Sequence, residues 1–157
     1  MGEAQHASPI PDYLSTGGNP GGHVCATDDV GPQGDVWFWR APAKFLGNVS
    51  GAYGRPLTFD LKQTPIITQF DWDDVVLIGG GITLVFNTPY NPGIGWTSYS
   101  VMLHESAGWK NIATNSAPTH AEMLAVVSSL SELRIRGEYE ILADTGCLDN
   151  VVLGVPN

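Results

Sequence analysis

The 157-residue chain is 43% hydrophobic but only 15% charged, with 19 Gly, 11 Pro and five Trp, a mixture that suits one turn-rich all-β domain. Seven basic against sixteen acidic residues give a formal charge of −9, which repels phosphate backbones and anionic headgroups, so nucleic acid is not an expected partner. No apolar run approaches the roughly eighteen residues that span a bilayer, so membrane insertion is not expected; the N-terminus MGEAQHASPIPDY also lacks a signal-peptide apolar centre, and a secreted form would have lost its targeting segment.

Residues 1–16 are read as an N-terminal extension and 17–157 as the domain. The segment GGNPGGHVCATDD at 17–29 is expected to form neither strand nor helix, because glycine loses much backbone entropy on ordering and proline removes a donor. VWFWR at 36–40 is a short strand. In LTFDLK at 57–62, Leu57, Phe59 and Leu61 alternate with Thr58, Asp60 and Lys62, the period of a half-buried strand. VVLI at 75–78 and ITLVF at 82–86 flank Gly79, Gly80 and Gly81, which predicts a hairpin. SYSVMLH at 98–104, LRIRGEYEIL at 133–142 and LDNVVL at 148–153 are further strands.

One helix interrupts the series. Thr119 caps it, Glu122 completes a capping box, Pro118 can staple against Met123, and Met123, Val126, Val127 and Leu130 form its apolar stripe. Seven or more short strands with one helix predict an antiparallel β-sandwich of jelly-roll type, with a closed barrel as the alternative. Cys25 and Cys147 belong to no metal-ligand cluster; one long-range disulfide is the preferred reading, and two unrelated buried thiols the other.

Catalytic signatures are missing: no GxSxG, HExxH, GxxxxGK[ST] or strand-borne GxGxxG occurs. His6, His23, His104 and His120 are scattered without metal-ligand spacing, although His104 adjoins Glu105 and His120 lies near Glu122. FDWDD at 70–74 brings Asp71, Asp73 and Asp74 close in sequence, and an acid pair is what most glycosidases use. A solvated turn before VVLI is the preferred account of them. Asn48-Val49-Ser50 is a glycosylation sequon.

From Trp37 onward the motifs WFWRAPAKFLGN, AYGRPLTFDLK, DVVLIGGGITL, YSVMLHESAGW, AEMLAVVSSLSELRIRGEY and LDNVVL follow in an order that resembles the laminin IV type A (laminin B) domain over about residues 17–153. The resemblance implies an extracellular, non-catalytic domain, found in laminins and perlecan between epidermal-growth-factor-like repeats. No such repeats flank it here, and the lead GGNPGGHV resembles free-standing versions. A sandwich of this kind is also similar to carbohydrate-binding-module and galactose-binding-like folds, where a structural calcium commonly sits at the meeting of first and last strands.

That likeness implies a calcium site in the glycine-rich lead, built from Asn19, carbonyls around Gly21 and Gly22, one or both of Asp28 and Asp29, and Asp149. Cys25 and Cys147 would lie beside it. The Cys25–Cys147 and Asp28–Asp149 separations are nearly equal, as expected if two segments meet there. The alternative is a loop held by hydrogen bonds and the disulfide, with Asp149 capping amides. Trp39, Tyr99 and Trp109 are candidate stacking platforms for a polysaccharide or matrix glycan, with Arg134 and Arg136 as outward hydrogen-bond donors. The expected function is a secreted, non-catalytic binding module stabilised by calcium. A glycan-active enzyme using Asp71, Asp73 or Glu105, and a purely structural adhesion domain, are the alternatives.

Overall fold

A computed structural model describes residues 11–29 and 36–154; His6 and the end of the expected C-terminal region lie outside them. Among the described residues, ten strands form two five-stranded sheets. They are β1 (Asp12–Gly18), β2 (Gly21–Asp28), β3 (Phe38–Arg40), β4 (Pro56–Thr64), β5 (Val75–Gly79), β6 (Ile82–Phe86), β7 (Thr97–Met102), β8 (Lys110–Asn111), β9 (Leu130–Arg136) and β10 (Asp144–Leu153). One sheet has the order β1-β2-β10-β4-β7 and the other β3-β9-β5-β6-β8, and all the strand pairings are antiparallel. The expected antiparallel sandwich is the observed fold.

The alternation in LTFDLK fixes how the sheets face each other. Leu57, Phe59 and Leu61 of β4 point inward with Tyr99 and Val101 of β7, and Leu77, Leu84, Leu133 and Ile135 of the second sheet belong to the same buried cluster. Hairpin β5–β6 turns through Gly80 and Gly81, both at positive φ (58° and 75°), the geometry that matches the twist of the flanking strands. Helix α1 (His120–Ser128) starts in the predicted capping box: Glu122 N donates to Thr119 Oγ1 at 3.1 Å, and Thr119 N donates to Glu122 Oε2 at 2.8 Å. It lies so close to the hairpin that a Cβ on Gly79 would collide with the Val126 carbonyl.

Four expectations about local structure are corrected. Residues 21–28 of the glycine-rich lead are a regular strand, because β2 is enclosed between β1 and β10 and tertiary pairing overrides glycine's poor propensity. Strand β1 runs through the boundary drawn between 16 and 17. Leu130 opens β9 instead of closing the helix. The stretch 133–142 is also not one strand: beyond Arg136, Gly137 packs against the Trp37 ring, and residues 139–141 pair with 68–70, with Phe70 N donating to Tyr139 O at 3.0 Å.

Candidate ligand groove and strand clasp

Strands β2 and β10 are joined by the Cys25–Cys147 disulfide, whose residues lie directly opposite, with Cα atoms 4.1 Å apart. Next to it the tip of hairpin β1–β2 reaches over the sheet. Asn19 N donates to Asp149 Oδ2 at 2.6 Å, and Asn19 Nδ2 donates to Asp60 Oδ2 at 3.1 Å. Asn150 Nδ2 donates to the same Asp60 oxygen at 2.7 Å and to the Asn19 carbonyl. Across the tip, Trp96 Nε1 donates to Gly17 O at 3.0 Å.

The residues fit a hard cation on two counts. A Cβ on Gly18 would meet Asp149 Oδ2, Gly21 O and Gly22 O at 2.6, 2.8 and 3.0 Å, so three oxygens converge where glycine leaves room. Asp60 and Asp149 are also direct cross-strand partners, and two like charges so placed destabilise a sheet unless something offsets them.

Asp28 and Asp29 do not join this group. Antiparallel partners share a constant sum of residue numbers, so Asp28 faces Asp144 at the far end of the strand pair, and equal separations are not a sign of contact. Asp29 is exposed beyond the end of β2. Asp28 and Asp144 are both buried, and Gln63 Nε2 donates to Asp144 Oδ2. Burial first, then the charges of Glu138 and Asp28, push the Asp144 carboxyl up to about 7.

The five expected glycan contacts are all interior, none more than 9% exposed. Trp39 packs edge-on against Trp37, Trp109 donates its Nε1 to Met102 O at 2.8 Å, and Tyr99 stacks on Phe59. Arg134 pairs with Glu132 at 2.5 Å, and Arg136 pairs with fully buried Asp74 at 3.1 Å. These side chains hold the sandwich together and present no face to a polymer. Asp74 is therefore not part of a solvated turn, and the three aspartates of FDWDD do not converge.

An open groove of about 440 Å³ lies above that ion pair, lined by Asp71, Asn87, Thr88, Pro89, Tyr90 and Asn91. Tyr90 is 52% exposed; one ring face lies on Tyr99, with centroids 5.2 Å apart, and its hydroxyl donates to Ser98 O at 3.0 Å. Asn87 Nδ2 donates to Asp71 Oδ1 at 3.0 Å. The floor is braced from within: Thr88 N and Oγ1 each donate to Asp74 Oδ2 at 2.6 Å, and Arg136 Nη2 donates to Asn91 Oδ1 at 3.0 Å. Half-exposed Trp72 follows Asp71 in the chain. Of the groove's lining residues only Asp71 is singled out by the sequence analysis, and NTPYN at 87–91 carries no binding motif.

A second surface cluster joins His104, Glu105 and His120 through Tyr53. Tyr53 Oη donates to Glu105 Oε2 at 2.7 Å, and His120 Nδ1 lies 2.8 Å from Tyr53 Oη and 3.1 Å from Glu105 Oε1. His104 Nε2 is 3.8 Å from Glu105 Oε1. The Glu105 backbone N–H, then Tyr53, hold the Glu105 carboxyl below its ordinary range. Glu122 is occupied by the helix cap.

Comparison with known proteins agrees with this architecture. The L4b domain of human laminin alpha-2 superposes with a TM-score of 0.69 at 15% identity, covering 82% of this chain and 76% of that one. The family 11 carbohydrate-binding module of a Clostridium thermocellum cellulosomal cellulase, Lic26A-Cel5E, superposes at 0.60 with 12% identity, covering 97% and 85%. Human laminin subunit gamma-1 is 30% identical over 132 residues, 80% of this chain, and the chain spans 8% of that relative's length. The profile for laminin B (Domain IV) matches residues 38–157. With the motif order, the sandwich and the profile in agreement over most of its length, the chain belongs to the laminin B (Domain IV) family.

Proposed function

We propose that the chain is an extracellular, non-catalytic module that recognises neutral polysaccharide in the groove over Asp74 and Arg136. The observation that carries this reading is the company of Tyr90: a half-exposed ring, braced from behind, beside the side chains of Asp71, Asn87 and Asn91. Sugar rings present apolar faces to aromatic rings and hydroxyls to amides and carboxylates. Among the described residues Asp71 is the one carboxylate lining the groove and no cationic side chain lines it, so polymers carrying uronate or sulfate are repelled. A lone carboxylate also fits recognition better than the acid pair of a glycosidase.

No helix among the described residues is long and apolar enough to cross a membrane. The curated relatives are laminins, which supports placement in the extracellular matrix. Calcium belongs to the same proposal: Asp149, Asp60 and the Gly21 and Gly22 carbonyls hold it, with Asn19 beside them. The ion supplies the divalent charge that lets Asp60 and Asp149 stand opposite each other.

Affinity electrophoresis in gels containing neutral glucans and galactans, with heparin and alginate as anionic arms, tests the groove. Retardation by a neutral polymer, lost in a Tyr90→Ala variant that still unfolds cooperatively within a few degrees of the parent Tm, is the expected outcome. Retardation by the anionic polymers alone, or equal retardation of the Tyr90→Ala variant, overturns the reading.

A further inference from the structure

On the outer face of the first sheet, β2 carries His23 and Cys25 two residues apart, so both side chains point the same way. Cys147 of β10 lies opposite Cys25, and continuing that register by one residue brings Asp149 level with His23. Two neighbouring cross-strand pairs thus set a histidine, two cysteines and an aspartate on one patch of sheet. Ligand atoms of His23, Cys25 and Cys147 all lie within 4.8 Å of one another, and theirs is the only such group of three among the described residues.

His23 is the informative member. It is 94% buried by the sheet, the glycine-rich tip and the edge of the Trp96 ring, with ring centroids 5.2 Å apart, yet its Nδ1 has no hydrogen-bond partner. A buried polar atom without a partner costs stability that an apolar ring of similar shape would not. Zinc takes imidazole nitrogen at about 2.0–2.1 Å and thiolate sulfur at about 2.3 Å in a tetrahedron, and its fourth position accepts carboxylate or water.

We propose that reduction of the Cys25–Cys147 bond converts this patch into a zinc site, with His23 Nδ1 and the two cysteine sulfurs as ligands and water as the fourth. The reductant is a dithiol. One of its thiolates attacks a protein sulfur, the S–S bond breaks, and its second thiolate resolves the mixed disulfide. Two electrons and two protons pass to Cys25 and Cys147, and the donor departs as its own disulfide. Zinc then displaces both thiol protons, and neutral His23 contributes its lone pair. The clasp between β2 and β10 is covalent in one state and coordinate in the other, so the sheet keeps its centre through the exchange.

The test uses the whole chain, reduced with a phosphine that ends as its oxide, taking its oxygen from water, and does not itself supply thiols. Zinc titration by calorimetry, cobalt substitution followed by absorption, and Tm with and without zinc are measured on both redox forms. The expected result is one zinc per reduced chain and none per oxidised chain, with thiolate-to-cobalt charge-transfer bands. His23→Phe, which keeps a ring against Trp96, should weaken zinc binding by more than the roughly 10–100-fold that loss of an outer partner costs. If the reduced chain is unfolded, zinc must restore its far-ultraviolet dichroism. Absence of binding, failure to restore the fold, or equal affinity in His23→Phe overturns the proposal.

Discussion

Strand β10 carries two aspartates opposite aspartates of its neighbours, and the two pairs solve the same electrostatic problem differently. Asp149 faces Asp60 on the outer surface, where amide donors and backbone carbonyls crowd round the carboxylates. Asp144 faces Asp28 at an inner, buried position, with Gln63 and the charge of Glu138 nearby. Oxygens converging beside two hydrogen-bonded carboxylates on the outer face suit a divalent cation; a carboxyl desolvated among like charges suits a proton. On the proposed reading, the side of the sheet a residue points to decides whether an acid pair is offset by a metal or by protonation.

The largest expected effect removes what lies between the two pairs. Changing Cys25 and Cys147 together to serine should lower stability by roughly 2–5 kcal/mol in denaturant unfolding, loosening both pairs together. A loss confined to one of them would show that β10 does not couple the two pairs. Calcium comes next. At about a hundred times its dissociation constant it should add about 2.7 kcal/mol, seen as a higher Tm than in chelator, and Asp149→Asn should erase the difference while Asp144→Asn should not. Identical midpoints with calcium and with chelator would remove the ion from the outer pair.

The inner pair should respond to pH instead. Folded Asp144 keeps its proton up to about pH 7, whereas the ordinary carboxyl value is 3.8, so between those limits the unfolded chain binds fewer protons. Its contribution to stability therefore falls as pH rises from about 4 to about 7 and is level above. Asp144→Asn, which mimics the protonated acid, should flatten that part of the Tm–pH curve and leave the protein more stable than the parent at pH 8. A variant whose curve keeps the parental slope would refute this assignment. The smallest effect is a control: Tyr90→Ala removes a ring stack of about 0.5–1.5 kcal/mol and should leave both the calcium and the pH responses intact.

The parts of the fold legible in the sequence were those set by local periodicity and local chemistry. Leu57, Phe59 and Leu61 had to share a face, Gly80 and Gly81 had to turn, and Thr119 with Glu122 had to start a helix. Strand β2 was hidden because its glycines argue against a strand, and only the flanking strands supply what they lack. The candidate sites were read less well. Asn19, Gly21, Gly22 and Asp149 do meet, but Asp60 and Asn150 come from register, which no single segment reveals. Alternation marked Arg134 and Arg136 as pointing away from Leu133 and Ile135; it could not show that Glu132 and Asp74 would cover them. Counting aromatic residues likewise gave no means of separating buried Tyr99 from half-exposed Tyr90, which stack on each other.

The bond joins Cys25 to Cys147 across a sequence separation of 122, and the span it closes holds both edges of the second sheet and the helix. A protease that nicks any loop in that span leaves two fragments still tied together, so the cut would be invisible on a non-reducing gel. A domain exposed to matrix proteases can in this way lose chain continuity without shedding a piece.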